Sequence, residues 1–318
     1  MRPRAVALVV SLAALCTGGC AVIHLGPGGP KGVQEVTLAG EGEDKVLLVD
    51  LSGVFSFQRP WAPPGWGRPE NLPARVRADL DRARRDPGVK AVLLRVDSPG
   101  GTVTASDVLF HEIRSFRADR KVPVVASIVE KGLSGGYYVS LAADEIVAHP
   151  TALVGSVGVV LMKFDLSGLL TRYGVRDEAT RSGPQKDILS PLRPLSLEES
   201  KALQGIVDQL NQRFQQIFRA ARPKATEQDL RAVAAAGIFT ASDALALHMV
   251  DRLGYLEDAF LAARELAGVT RARLVAYRED APDRPNVYSL ASLAASLEGP
   301  AFLDRASLAE ALDPNAFY

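Results

Sequence analysis

Two short runs in this chain pair a serine or a glycine turn with the end of an apolar segment: Ser98-Pro99-Gly100-Gly101 and Leu133-Ser134-Gly135-Gly136. In the first, two glycines after the apolar run Val89 to Val96 let the backbone turn with its N–H groups exposed, as stabilisation of a developing oxyanion requires. In the second, a serine at a strand-to-helix junction has its hydroxyl at the positive end of the helix, where the N–H of Gly135 faces the same oxyanion. Together they suit acyl transfer to a serine nucleophile. Each also has an ordinary structural use, Pro-Gly as a tight turn and the serine as a helix N-cap.

A serine nucleophile needs a base. His149 falls fifteen residues past Ser134, just before Pro150, and no histidine has a clear partner carboxylate, so a Ser-His-Asp triad is disfavoured. The remaining class is a lysine kept neutral by burial. Lys186, in Arg181-Ser182-Gly183-Pro184-Gln185-Lys186-Asp187-Ile188, is the best placed candidate, although sequence physics alone favours a solvated loop lysine. Lys131 and Lys163 are rivals, with Lys131 beside Glu130 suggesting an exposed charge pair. Both cysteines, Cys16 and Cys20, fall in the first twenty residues, which leaves the body without a thiol nucleophile, a disulfide or a cysteine zinc site. The four histidines lack metal-site spacing, and no metal or organic cofactor is implied. Lys+Arg 37 against Asp+Glu 37 removes the overall charge that would recruit nucleic acid.

These residues need a scaffold, and the surrounding pattern supplies one. Lys45 to Phe55, Val89 to Val96 and Val122 to Val129 read as buried strands, and Glu145 to Ala148 and Leu153 to Leu161 as further strand-like segments. Between them, Leu72, Val76, Leu80 and Ala83 recur at helical spacing, as do Leu109, Ile113 and Phe116 in the next helix. Glu130 to Leu133 reads as a short loop leading into a helix that ends near Ala143. Leu197 to Arg222 is one long helix closed by Pro223, and shorter helices follow at Glu227 to Ala236, Ala241 to Leu247 and Leu256 to Ala267. Strands alternating with helices predict an α/β fold of βαβ units, with helices packed on a mainly parallel sheet.

At the amino terminus Arg2 and Arg4 precede an uncharged apolar run, then Thr17-Gly18-Gly19-Cys20, the layout of a secretory signal. This resembles a bacterial lipoprotein signal with lipidation at Cys20, apart from Thr17 where a large aliphatic residue is usual. The alternative is an uncleaved anchor over residues 5–25. The expected organisation is a signal peptide over 1–19, a lipidated start and linker over 20–44, a catalytic domain over 45–267 and a C-terminal extension over 268–318, with one helical stretch around Ser289 to Leu297. Either anchor places the body in the cell envelope, outside the cytoplasm.

Taken in order, VKAVLLRVDSPGG, SGGYYVSLAADEIVAHPTALVGSVGVV, SGPQKDILSPLRPLS and ALALHMVDRLG resemble the signal peptide peptidase A family of bacterial membrane-anchored Ser-Lys peptidases. The resemblance implies a Clp/crotonase-like fold, Ser134 as nucleophile, Lys186 as general base, Gly101 and Gly135 as oxyanion-hole donors, and Ser156 as a serine that positions the lysine. It implies peptide or polypeptide substrates, remnant signal peptides among them, and a homo-oligomeric ring in which neighbouring subunits help complete the active sites. Departures are Asp97 for a usual Asn, Leu133 for a small residue, and Ala235-Ala236-Gly237-Ile238 for a more usual Gly-Arg pair. The competing expectation is an envelope protein that keeps the fold and binds peptides without cleaving them.

Overall fold

The computed structural model describes residues 32–59, 70–278 and 286. Cys20, both anchor alternatives and the helical stretch expected around 289–297 lie outside the described residues.

The chain runs β1 (Gln34–Gly40), β2 (Asp44–Ser52), α1 (Leu72–Arg85), β3 (Val89–Ser98), α2 (Val103–Arg120), β4 (Val124–Leu133), α3 (Gly135–Ser140), β5 (Glu145–Ala148) and β6 (Leu153–Gly155). It continues through α4 (Ser167–Arg172), α5 (Leu197–Ala221), α6 (Glu227–Ala234), β7 (Ile238–Thr240), α7 (Ala241–Ala246), β8 (Arg252–Leu253), α8 (Leu256–Ala267) and β9 (Ala272–Arg278). The strands form a sheet of order β1-β9-β2-β3-β4-β5-β8. Every neighbouring pair along it is parallel except β1 with β9. The α/β class with a mainly parallel sheet is therefore as the sequence predicts.

Burial on both faces explains the near-continuous apolar strands. On β2, Leu47, Val49 and Leu51 face a core shared with Val76 and Leu80 of α1, Leu109 and Ile113 of α2, and Phe214 and Phe218 of α5. The alternate residues Val46 and Leu48 face a second core with Ala259, Phe260 and Ala263 of α8. The helices begin where capping chemistry allows. Asn71 accepts from the Ala74 N–H at the start of α1, and Ser196 and Glu199 form a reciprocal capping box at the start of α5.

Three boundaries differ from the sequence expectation. Glu130 to Leu133 is strand, not loop: β4 pairs with β5 over Val125 to Ile128, then with β6 over Lys131 to Leu133. A register shift against β3, between Val96 and Ser98, accompanies the change of partner. The segment from Leu153 is strand only to Gly155. The sheet also reaches beyond 45–267, because β1 lies within the expected linker and β9 within the expected extension, and the two pair with each other.

The short helix α3 is held by its tyrosines. Tyr137 is fully buried and its hydroxyl donates to the Met249 carbonyl at 2.8 Å, while its ring lies against Phe218. Tyr138 packs edge-on against Phe110 and Phe214 and donates to Asp107, which also takes Arg213. Tyr137→Phe leaves the Met249 carbonyl buried without its donor, and a loss of about 1–3 kcal/mol is expected. Urea denaturation measures it; an unchanged midpoint would show that this bond does not hold α3 in place.

Candidate active site

Ser134 stands where β4 ends and α3 begins. Its N–H donates to the Gly155 carbonyl at 2.9 Å, continuing the β4–β6 pairing, and its carbonyl accepts from Tyr138 N–H at 2.9 Å. Tied on both sides, the residue takes φ 48° and ψ −117°, a strained conformation for a side chain with a Cβ. Although it occupies the N-cap position, its side chain makes no capping hydrogen bond. The ordinary N-cap use of this serine is therefore not realised, and the hydroxyl is left to other chemistry.

The glycine loop after β3 lies against this hydroxyl. Gly100 has φ +117°, and a Cβ there would sit 2.8 Å from the Ser134 Cβ, 3.1 Å from its Oγ and 3.0 Å from the Gly135 nitrogen. Only glycine permits that approach. Phe55 fixes the loop from behind: its N–H donates to the Gly100 carbonyl and its carbonyl accepts from Thr102 N–H, both at 2.8 Å. In such a parallel bridge the intervening N–H, that of Gly101, points away from Phe55. The Gly101 nitrogen lies 3.3 Å from where a Cβ on Gly135 would be, so it stands against the start of α3. The N–H of Gly135 opens α3 and has no partner within the helix. Gly101, Gly135 and Ser134 are thus brought together.

Ser98 is a residue whose part the sequence did not disclose. Fully buried, it donates through its hydroxyl to the Gly53 carbonyl at 2.6 Å and accepts from Gly100 N–H at 3.0 Å, latching the loop to β2. Its place at the head of Ser98-Pro99-Gly100-Gly101 was the available signal. Beside it, burial and then the nearby Glu130 carboxylate push the Asp97 carboxyl above its usual range. One Asp97 oxygen is buried with no hydrogen-bond partner.

Ser156 follows Gly155, the residue bonded to Ser134, so the β4–β6 pairing brings it alongside. It has φ 51° and its N–H donates to the Gly237 carbonyl at 2.7 Å. Lys186 is not brought to Ser134. It lies in an exposed turn, and among the described residues its side chain makes no hydrogen bond or ion pair. The two rivals are engaged elsewhere: Lys131 pairs with Glu130 at 2.9 Å, and Lys163 donates to the Arg193 carbonyl at 2.6 Å. His149 accepts at Nδ1 from Thr151 N–H and meets the Tyr255 ring edge-on, with no link to Ser134. Among the described residues no three His, Cys, Asp or Glu side chains group as a metal site. No helix among them is long and apolar enough to cross a membrane.

Comparison with known proteins places this arrangement. Residues 117–270 match the model of peptidase family S49. A Synechocystis sp. protein described as a protease is 40% identical over 179 residues, covering 56% of this chain and 64% of that one. Protease 4 of Salmonella typhi is 36% identical over 216 residues, 66% of this chain and 34% of its own. An Enterococcus faecium protein described as a signal peptide peptidase is 32% identical over 201 residues, 63% of this chain and 58% of its own. The chain therefore spans between about a third and just under two thirds of these relatives. By this match, and with the ordered motifs set around one strained serine, the resemblance to the signal peptide peptidase A family is shown, residues 117–270 matching peptidase family S49.

Proposed function

We propose that this chain is a membrane-tethered, extracytoplasmic serine endopeptidase that cleaves remnant signal peptides and other membrane-proximal polypeptides through an acyl-enzyme on Ser134. The observation that carries the reading is the uncapped Ser134 hydroxyl on a strained backbone, flanked by the outward N–H groups of Gly101 and Gly135. In the proposed reaction Lys186, as the neutral amine, takes the Ser134 proton while Oγ attacks the scissile carbonyl. The two N–H groups hold the oxyanion. Collapse of the tetrahedral intermediate expels the amine, which receives its proton from the Lys186 ammonium. Water then attacks the ester, giving its proton to Lys186, which passes it to the Ser134 Oγ as the acid product leaves. Ser156 positions the lysine by hydrogen bonding.

An exposed lysine with a pKa of about 10.4 is almost wholly protonated at neutrality, and desolvation lowers such values by up to about 3–5 units. Since Lys186 is exposed in the single chain, its cover has to come from another surface, which we assign to a neighbouring copy. Apolar residues on the same segment support this: Val160, Met162 and Tyr173 are 78%, 70% and 75% exposed. The chain is then one subunit of a homo-oligomer, tethered through Cys20 or the 5–25 run.

The competing reading, a peptide-binding envelope protein without catalysis, is separated by mutation. Ser134→Ala should abolish peptide hydrolysis and leave the thermal melt close to wild type, since no capping bond is lost. Retained turnover in the folded variant would discard the nucleophile.

Turnover should rise with pH as the Lys186 ammonium gives up its proton, then level off until the fold fails. Lys186→Arg should be nearly as damaging as Lys186→Ala, because guanidinium keeps its proton. Near-normal turnover of Lys186→Arg with an unchanged pH profile would assign the base to another group.

Light scattering of the body from residue 32 onward should find an oligomer at micromolar concentration. A fully active monomer would remove the neighbouring copy from the account.

A further inference from the structure

The turn that carries Lys186 is held by charges rather than by a core. No residue between 158 and 198 is buried, so apolar packing cannot fix its position. Backbone turns shape it locally: Lys186 N–H donates to Gly183, Ile188 N–H to Gln185 and Ser190 N–H to Asp187. Asp187, the next residue after the lysine, accepts from Arg193 on both carboxylate oxygens, at 2.8 and 3.0 Å, and from Arg181 as well. Arg193 at the same time forks onto both oxygens of Glu199, at 2.8 and 2.5 Å. Glu199 also accepts from Ser196 N–H at 2.9 Å, closing the capping box of α5. Arg181 is held in turn by Asp177 at 2.8 Å.

An unbroken chain of ion pairs, Asp177–Arg181–Asp187–Arg193–Glu199, therefore runs from the Lys186 turn to the first turn of a 25-residue helix. Farther along, Phe214 and Phe218 of that helix pack on Tyr138 and Tyr137, just after the nucleophile. An isolated surface ion pair stabilises little. Here each arginine holds two carboxylates with a planar fork, so direction as well as attraction is fixed.

The sign of these charges bears on the base. A carboxylate beside an amine favours the ammonium form, which is the wrong form for proton abstraction. Arg193 and Arg181 hold the Asp187 carboxyl well below the usual carboxylate range, and Arg193 with the Ser196 N–H lowers Glu199 to about 2. The clamp thus stays charged throughout the neutral range, and its guanidinium groups offset the Asp187 charge next to Lys186. The charged groups around this turn are Asp177, Arg181, Asp187 and Arg193, with Glu199 from α5 and Lys163 from the segment before α4.

We propose that Arg193, acting through Asp187 and Glu199, is a positioning residue that both places Lys186 and keeps its neighbourhood from favouring the ammonium form. The proposal rests on the Ser134–Lys186 reading. With Arg193 neutral, Asp187 keeps only Arg181 and Glu199 loses its arginine, so negative charge grows in the turn that carries Lys186 and the pH–rate midpoint moves up.

The test is the pH dependence of kcat/KM for the full chain and for Arg193→Gln, Arg193→Lys and Lys186→Ala, each checked for folding by circular dichroism. Arg193→Gln should lose about tenfold at neutral pH and shift the midpoint upward by about half a unit or more. Arg193→Lys keeps the charge without the fork, so it should lose rate with the midpoint in place. Wild-type rate and midpoint in a folded Arg193→Gln variant overturn the proposal. Equal losses in both variants with no midpoint difference also overturn it, since the residue is then merely structural. If Arg193→Gln fails to fold, Arg193→Lys decides alone, and wild-type turnover there counts against the clamp. Activity retained by Lys186→Ala would instead remove the dyad reading itself.

Discussion

The change of partner along β4 is the constraint on which the site depends. Its first half completes the parallel sheet with β5, and its last three residues cross to β6. The register shift against β3 brings Gly132 opposite Ser98, the residue that latches the glycine loop. Two residues later the β6 pairing captures the Ser134 N–H, while α3, wedged by Tyr137 and Tyr138, captures its carbonyl. Bonded on both sides, Ser134 takes a strained conformation. The strained Ser134 and the glycine N–H groups set against it are thus consequences of sheet topology as well as of local loop sequence.

That dependence explains what the sequence disclosed. The apolar runs of β2 and β3 and the 3.6 spacing of Leu72, Val76, Leu80 and Ala83 are local signals of burial, and the elements lie where they point. Glu130 to Leu133 carries no such signal, because a charged pair at the crossing between two partners has the polarity of a loop. Gln34–Gly40 buries only Val36 and Leu38, and its strand character comes from pairing with a segment more than 230 residues away. No window of sequence contains that pairing.

The site was legible in the same uneven way. Ser134, Gly101 and Gly135 stand in motifs whose residue types suit acyl transfer as well as a turn and a cap, and the fold brings them together. Whether Ser134 caps its helix depends on backbone torsion, which residue type does not encode. Lys186 was legible as a residue and as a solvated loop side chain, but not in its charge clamp, which is made by arginines seven residues to one side and five to the other. In the proposed enzyme these two halves act together, with a neighbouring copy covering Lys186. The rigid core supplies the nucleophile and its oxyanion donors, and a charge-clamped surface segment supplies the base.

The most direct test of the central claim is covalent capture of the nucleophile. The full chain is treated with a fluorophosphonate, digested and mapped by mass spectrometry. The account predicts a single adduct on Ser134, absent when Lys186 is replaced by alanine or when the reagent meets denatured protein. An adduct on a different serine, or peptide hydrolysis by a protein that Ser134 labelling leaves fully active, would contradict it.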